Sequence, residues 1–426
     1  MRLLLNFIFA LTVASGGIAF AALPSSLKEL NQWYSSPPTN ENAAELILRG
    51  ADYLSKNPNL WRSNFPWVGA AEIPELDKPI PVAVVRAMSD YLRRSEGALY
   101  YLRQAAELES SRYPVDFNAG TDGLLPHLTK LESVERYLWV CALQEANRGN
   151  SDKAAEPLRI CFALSRSVQQ EPCLVSQTVR VNVMRRSLPA MEQVLNRVAL
   201  SASQLMKIEE LLQKLERFDV SGAGFFRGLV GDRLIAPGFY ELDTETQKSL
   251  IARVLPETNR SPAFQVIDER SMIDADKAFA DGLFVSTLKL WQKPIAGRVK
   301  AVLDETAKQS DKAKENRFVM SFVYANRISD AAKTEIRSVA SLRIALTAIA
   351  LERFRLTNGS YPESLEQITA LPPTVIQNPC NGEPFKYERI SEGYMVKFEQ
   401  PELLATNAIT FRVINPPPTR QKSAAR

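Results

Sequence analysis

Between Arg343 and Glu352 the chain reads Ile-Ala-Leu-Thr-Ala-Ile-Ala-Leu, a run without a single charge. Val339, Leu342, Leu346, Ile349 and Phe354 recur around it at helical spacing, so residues 325–356 are expected to form one helix. A helix that is apolar around most of its circumference must be surrounded by other elements rather than lie on a surface. Any fold for this chain has to supply those neighbours.

The remaining sequence offers them as more helices. Residues 124–169 read as a helical hairpin joined at Arg148-Gly149-Asn150. Leu128, Leu131, Val134, Leu138 and Cys141 mark the inner face of its first helix, and Ala154, Leu158, Cys161 and Leu164 that of the second. Gly149 suits a left-handed helix end, and Asn150 or Ser151 suits the next N-cap. The hairpin resembles a tetratricopeptide unit, although no second copy recurs at a fixed period. Further helices are expected over 40–56, with Asn40 or Asn42 as its cap, and over 81–110, broken near Ser95-Glu96-Gly97. Others are expected over 173–198, over 201–217 with Ser201 as N-cap, and over 272–291 and 294–308. Residues 218–270 are less regular, and Gly222, Gly224, Gly228 and Gly231 suggest a flexible interhelical loop. The fold class is mainly α: helical hairpins in a tetratricopeptide-like array, followed by a small α+β C-terminal module with an antiparallel hairpin or three-stranded sheet.

The N-terminus has the layout of an export signal. Arg2 precedes an apolar run, and Ala19-Phe20-Ala21 matches an A-x-A site, which places the mature start near Ala22. An uncleaved anchor over residues 3–23 is the alternative, since that length can just span a bilayer. The expected divisions are a signal peptide over 1–21, a helix and Pro/Trp-rich loop over 22–80, and helical hairpins over 81–336. The C-terminal module then occupies 337–414, and a disordered basic tail 415–426. The 52 basic and 48 acidic residues are too evenly balanced to indicate nucleic acid. Cys141, Cys161, Cys173 and Cys380 are too few for a disulfide framework in a chain of 426 residues. Cys141 and Cys161 could face each other across the hairpin, and both also fit as small buried residues.

Candidate chemistry is sparse. His127 is the only histidine, which excludes multi-histidine metal sites. A nucleophile–histidine–acid arrangement would have to use it, with Asp116 or Asp122 as the acid. The competing expectation is a capping or packing histidine in the first turn after Pro126. The glycines of 222–231 lack the strand-before-helix setting of a dinucleotide fingerprint, and neither a phosphate loop nor a nucleophile elbow is present. Tyr34, Trp61, Phe65 and Trp67 could form a glycan- or peptide-binding patch, or pin a proline-rich loop to the helices. No catalytic, cofactor or metal residue is assigned, and no cofactor is expected.

The C-terminal region turns from helix to strand. Gly359 can adopt the left-handed conformation that ends a helix, and Pro362 can begin a short helical turn through Leu365 and Ile368. Strands are expected at 384–390, 393–399 and 408–414, with turns at Asn381-Gly382 and Glu392-Gly393. Tyr361, Leu365, Phe385, Tyr387 and Tyr394 are expected between hairpin and helix. This order resembles the globular end of the major pseudopilin of type II secretion. The matching residues are Asn358-Gly359-Ser360-Tyr361-Pro362, Leu365, Asn378-Pro379, Gly382, Pro384, Tyr387 and Gly393-Tyr394, within about 60 residues. Asn378 and Cys380 stand where that family has Asp and an aromatic, and "IAFAAL" after Gly17 lacks the glutamate of its peptidase site. Its calcium loop has no counterpart here, with only Glu399 and Glu402 available. The whole chain also resembles a group of exported bacterial helical proteins with no assigned activity. The resemblance rests on Trp33-Tyr34, Pro37-Pro38, Glu41-Asn42-Ala43-Ala44, Arg112-Tyr113-Pro114, Leu124 to Leu128 and the C-terminal module. The expected function is an exported, non-catalytic interaction or scaffold protein of the cell envelope, periplasmic or held in the inner membrane by an uncleaved anchor. Its partners are expected to be envelope proteins. A component of a type II secretion or pilus-like system, and an envelope hydrolase using His127, are the alternatives.

Overall fold

The computed structural model describes residues 23–38, 40–54, 66, 72–122, 125–254, 270–400, 408–414 and 416–417. Trp61, Phe65 and Trp67, the expected N-terminal signal and the basic tail beyond residue 417 lie outside them. Among the described residues there are thirteen α-helices. The first six are α1 (Leu27–Trp33), α2 (Ala43–Leu54), α3 (Val82–Arg94), α4 (Ala98–Glu107), α5 (Pro126–Asn147) and α6 (Ser151–Arg166). Then come α7 (Leu174–Leu195), α8 (Ala202–Ser221), α9 (Ala223–Ile235), α10 (Thr244–Val254), α11 (Arg270–Trp291), α12 (Ile295–Glu315) and α13 (Val319–Asn358). A three-stranded antiparallel sheet follows, in the order β1 (Lys386–Arg389), β2 (Tyr394–Phe398), β3 (Ile409–Val413). The chain is mainly helical with a small C-terminal sheet, as its sequence pattern implies.

Local chemistry sets many of the helix ends. The Ser201 hydroxyl accepts the Gln204 N–H at 3.3 Å, and the Ser201 N–H donates to the Gln204 side chain at 2.7 Å. This capping box fixes the start of α8. Asn42 accepts from the main chain of Ala44 at 3.2 Å and of Arg112 at 2.9 Å, so one side chain caps α2 and ties it to the strand-like segment after α4. Gly97 breaks α3 from α4 with a φ of 97°.

The helices pack in two rows. In one, α2 lies against α5 and α5 against α7; in the other, α4 lies against α6 and α6 against α8. Both rows end on α13, which packs on α7 and on α8. Helices α11 and α12 cover another side of α13, and β2 and β3 sit on it toward its C-terminal end. Helix α13 begins at Val319, earlier than the expected 325, and its 40 residues extend about 60 Å at the usual rise. From Ile344 to Leu351 no residue is more than 2% exposed. The uncharged run is therefore enclosed on every side, and the expected buried helix is present.

The glycine-rich stretch departs from expectation. Residues 223–235 form helix α9 rather than a loop. A Cβ on Gly231 would lie 1.7 Å from the Pro172 carbonyl oxygen, and one on Gly228 would lie 3.1 Å from the Leu174 backbone. These glycines let α9 approach the start of α7 backbone to backbone. The low helix propensity of glycine is overridden by a contact that no larger residue allows. Helix α10 also lies in the stretch read as irregular.

Two glycine substitutions should separate these effects. Gly231→Ala meets fixed backbone and should cost about 3 kcal/mol. Gly359 has a φ of 78° with open space around it, so Gly359→Ala should cost only about 1 kcal/mol of backbone strain. Denaturant titrations of the two variants check the ranking; equal costs, or the reverse order, would contradict it.

Candidate functional site

His127 stands in the first turn of α5, after Pro126 at the helix start. It is 3% exposed. Its ring stacks on Tyr113, with centroids 4.3 Å apart and planes 17° from parallel. Its Nε2 lies 3.0 Å from the Glu171 carboxylate, which belongs to the connection between α6 and α7. The same carboxylate accepts from the Tyr34 hydroxyl at 3.2 Å and from the Ser176 hydroxyl. Tyr34 in turn accepts the Tyr113 N–H at 3.1 Å, and the Tyr113 hydroxyl pairs with Ser167 at 2.9 Å. One closed network thus joins the end of α1, the segment after α4, the start of α5 and both sides of the α6–α7 connection.

The acid beside His127 is Glu171, which sequence reading did not single out. Asp116 is exposed and is held by Asn31 at 3.1 Å and by the Asn118 main chain at 2.9 Å. The Asn118 N–H holds its carboxyl below the usual range. Nothing of the Asp122 side chain is described. Ser176 donates to Glu171 rather than to His127, so the order of a nucleophile, base and orienting acid is not formed. Tyr34, expected in an aromatic patch, is buried in this knot. The arrangement fits a packing histidine that joins chain segments far apart in sequence, and a Glu–His pair separated by 44 residues leaves no local signal.

The described cysteines are free, with Cys141, Cys161 and Cys173 buried. Burial pushes the Cys141 thiol up to about 12. Buried thiols of this kind are unreactive. Among the described residues no group of three or more His, Cys, Asp or Glu side chains could hold a metal ion. No described helix is long and apolar enough to cross a membrane.

An open cleft of about 490 Å³ lies elsewhere, between α7, α13 and the outer edge of β3. Arg185 and Glu192 line it from α7, Arg337 and Ser341 from α13, and Thr410 from β3. Arg185 is partly buried and has no hydrogen-bond or ion-pair partner among the described residues. Burial first, then the positive charges of Arg337 and Arg186, lower its pKa. Ser341 is 1% exposed, and its hydroxyl has no partner among the described residues. The wall at β3 is a strand edge in use over half its length. Glu192 accepts the Arg412 N–H at 2.6 Å, while Asn196 accepts the Ile414 N–H at 2.7 Å and donates to the Arg412 carbonyl at 3.0 Å. Thr410 points its main-chain groups to the same side, two residues earlier, and they find no partner among the described residues. Sequence reading missed this cleft. Arg185 and Arg186, adjacent within α7, were its only trace.

Comparison with family models, with curated proteins and with solved structures finds no match.

Removing the His127 ring should leave the Glu171 carboxylate buried without its main partner. His127→Ala is expected to lose about 3 kcal/mol of stability, and His127→Gln, which can still donate to Glu171, less. Urea titration checks this. A loss below about 0.5 kcal/mol for the alanine variant would show that the knot is not structural.

Proposed function

We propose that the protein is an exported, non-catalytic interaction scaffold of the bacterial cell envelope, with protein partners there. One observation carries the reading: the cationic Arg185 stands in an open cleft without a partner among the described residues, while other buried charges join helices to one another. Arg180 pairs with Asp219 at 2.7 Å, Arg298 with Glu335 at 3.0 Å, and Arg343 with Glu216 at 2.9 Å. Groups held this way have no freedom to serve a reaction, whereas an open cleft beside a strand edge suits binding. The helical rows support the same reading, because stacked helix pairs commonly present surfaces to partners. The envelope location rests on Arg2, the apolar run after it and Ala19-Phe20-Ala21.

A second reading is an accessory of a type II secretion or pilus-like system. It is supported by the unit made of the end of α13, the Gly359 helix end and the sheet. There Tyr361 and Tyr394 pack edge to face at 4.9 Å over the helix. These are residues through which the chain resembles the pseudopilin.

In-cell crosslinking of a tagged full-length chain, followed by fractionation, tests the proposal. The expected result is a discrete crosslinked species in the extracytoplasmic fraction. A chain that fractionates with cytoplasmic markers, or that stays uncrosslinked in the envelope, would contradict it.

A further inference from the structure

We propose that the cleft between α7, α13 and β3 captures an extended peptide segment of a partner protein through a carboxylate, with the segment's backbone pairing to the Thr410 edge. The inference rests on the scaffold reading and names the chemistry of the partner. Three independent features converge on it. The first is charge: Arg185 has no counterion among the described residues, and the Arg337 charge adds to the positive potential around it. A guanidinium presents its N–H donors in a fork that matches a carboxylate's two oxygens.

The second feature is the buried Ser341 hydroxyl. It sits one helical turn after Arg337, on the same side of α13, belongs to a residue that lines the cleft, and has no partner among the described residues. Buried polar atoms are nearly always satisfied, so an orphan hydroxyl on a residue that lines the cavity marks a place for a ligand's polar group. The third feature is the strand edge. The side chains of Glu192 and Asn196 already imitate a fourth strand against Arg412 and Ile414, and the imitation stops at Thr410. A backbone donor and acceptor without a described partner, at strand spacing, suit another peptide backbone, as in other cases of strand addition. A small carboxylate would pair with Arg185 and leave the Thr410 groups bare. The three features together therefore favour a peptide. Glu192 closes the cleft at the other end, two turns along α7, and disfavours a second acid there.

The test uses the full mature chain and two immobilised pools of random hexapeptides attached by their N-termini. One pool has free C-terminal carboxylates and no Asp or Glu. The other is amidated and includes Glu. Retention on the first pool assigns a C-terminal carboxylate, and retention on the second an acidic side chain. Either supports the proposal, provided that two variants lose it. Arg185→Gln should bind at least ten-fold more weakly while keeping the wild-type melting temperature, because Arg185 makes no hydrogen bond or ion pair with a described residue and glutamine keeps much of its stem. Thr410→Pro removes an outward N–H that β2 does not use, so the sheet should persist while peptide retention falls at least five-fold. Retention on neither pool overturns the proposal. So does loss with Arg185→Gln but not with Thr410→Pro together with equal competition by acetate, which would indicate a site for small carboxylates. If Arg185→Gln leaves the in-cell crosslinked species intact, the scaffold reading stands and the cleft is not its docking site.

Discussion

A helix enclosed on all sides must settle every polar group it carries, and α13 carries many. Asp276 on α11 accepts the N–H groups of Met320 at 2.9 Å and Ser321 at 3.0 Å, capping the helix start that Phe318 cannot cap itself. Glu335 receives the Trp291 indole and the Arg298 guanidinium, both at 3.0 Å. Ser338 donates to Asp219 of α8, and Arg343 pairs with Glu216 of the same helix and donates to the Gln377 carbonyl at 3.1 Å. Glu352 receives Tyr361 at 2.8 Å and Arg355 at 3.1 Å beneath the sheet. Between them these contacts join α13 to α8, α11, α12 and the segment that follows Gly359. Breaking one member of such a buried pair costs about 3–5 kcal/mol, so these contacts fix both the depth and the rotation of the helix.

Arg298 shows how one group can organise several elements. Besides Glu335 it donates to the carbonyls of Val220 at 2.8 Å and Ser221 at 3.1 Å, where α8 ends. It also reaches the carbonyls of Trp291 at 3.2 Å and Lys293 at 3.3 Å, where α11 ends. Two helix C-termini, each with unsatisfied carbonyls, are thus closed by one cation that also pairs with α13. A Cβ on Gly222 would lie 2.4 Å from its Nη1, so the turn between α8 and α9 must remain glycine for the guanidinium to fit.

The elements whose rules are local were legible in the sequence. The hairpin of α5 and α6 follows from apolar spacing and from Gly149, which has a φ of 77°. The strands follow from alternation; Tyr394, Val396 and Phe398 all face inward. Tyr361, Leu365, Phe385 and Tyr394 are buried as expected, and Tyr387 is half-buried, with its hydroxyl on the Pro362 carbonyl at 2.7 Å. What sequence reading missed depends on contacts between distant segments. Helix α9 looks like a loop until Pro172 is placed against Gly231. Glu171 looks like any loop acid until the fold sets it on His127, and Arg185 looks like a solvated helix charge until α13 and β3 wall it in. The candidate cleft is a product of packing, and no motif announces it.

Helix α13 binds the helical rows and the sheet into one cooperative unit. Native-state hydrogen exchange of the full chain tests it most directly. The amides of Ile344 to Leu351, of Val140 and Leu158 in the rows and of Val396 in the sheet are all expected to exchange with the free energy of global unfolding. Exchange of the sheet and of α13 beyond Arg343 at a distinctly lower free energy than α5 and α6 would contradict it, because it would mean that the C-terminal region opens independently of the rows.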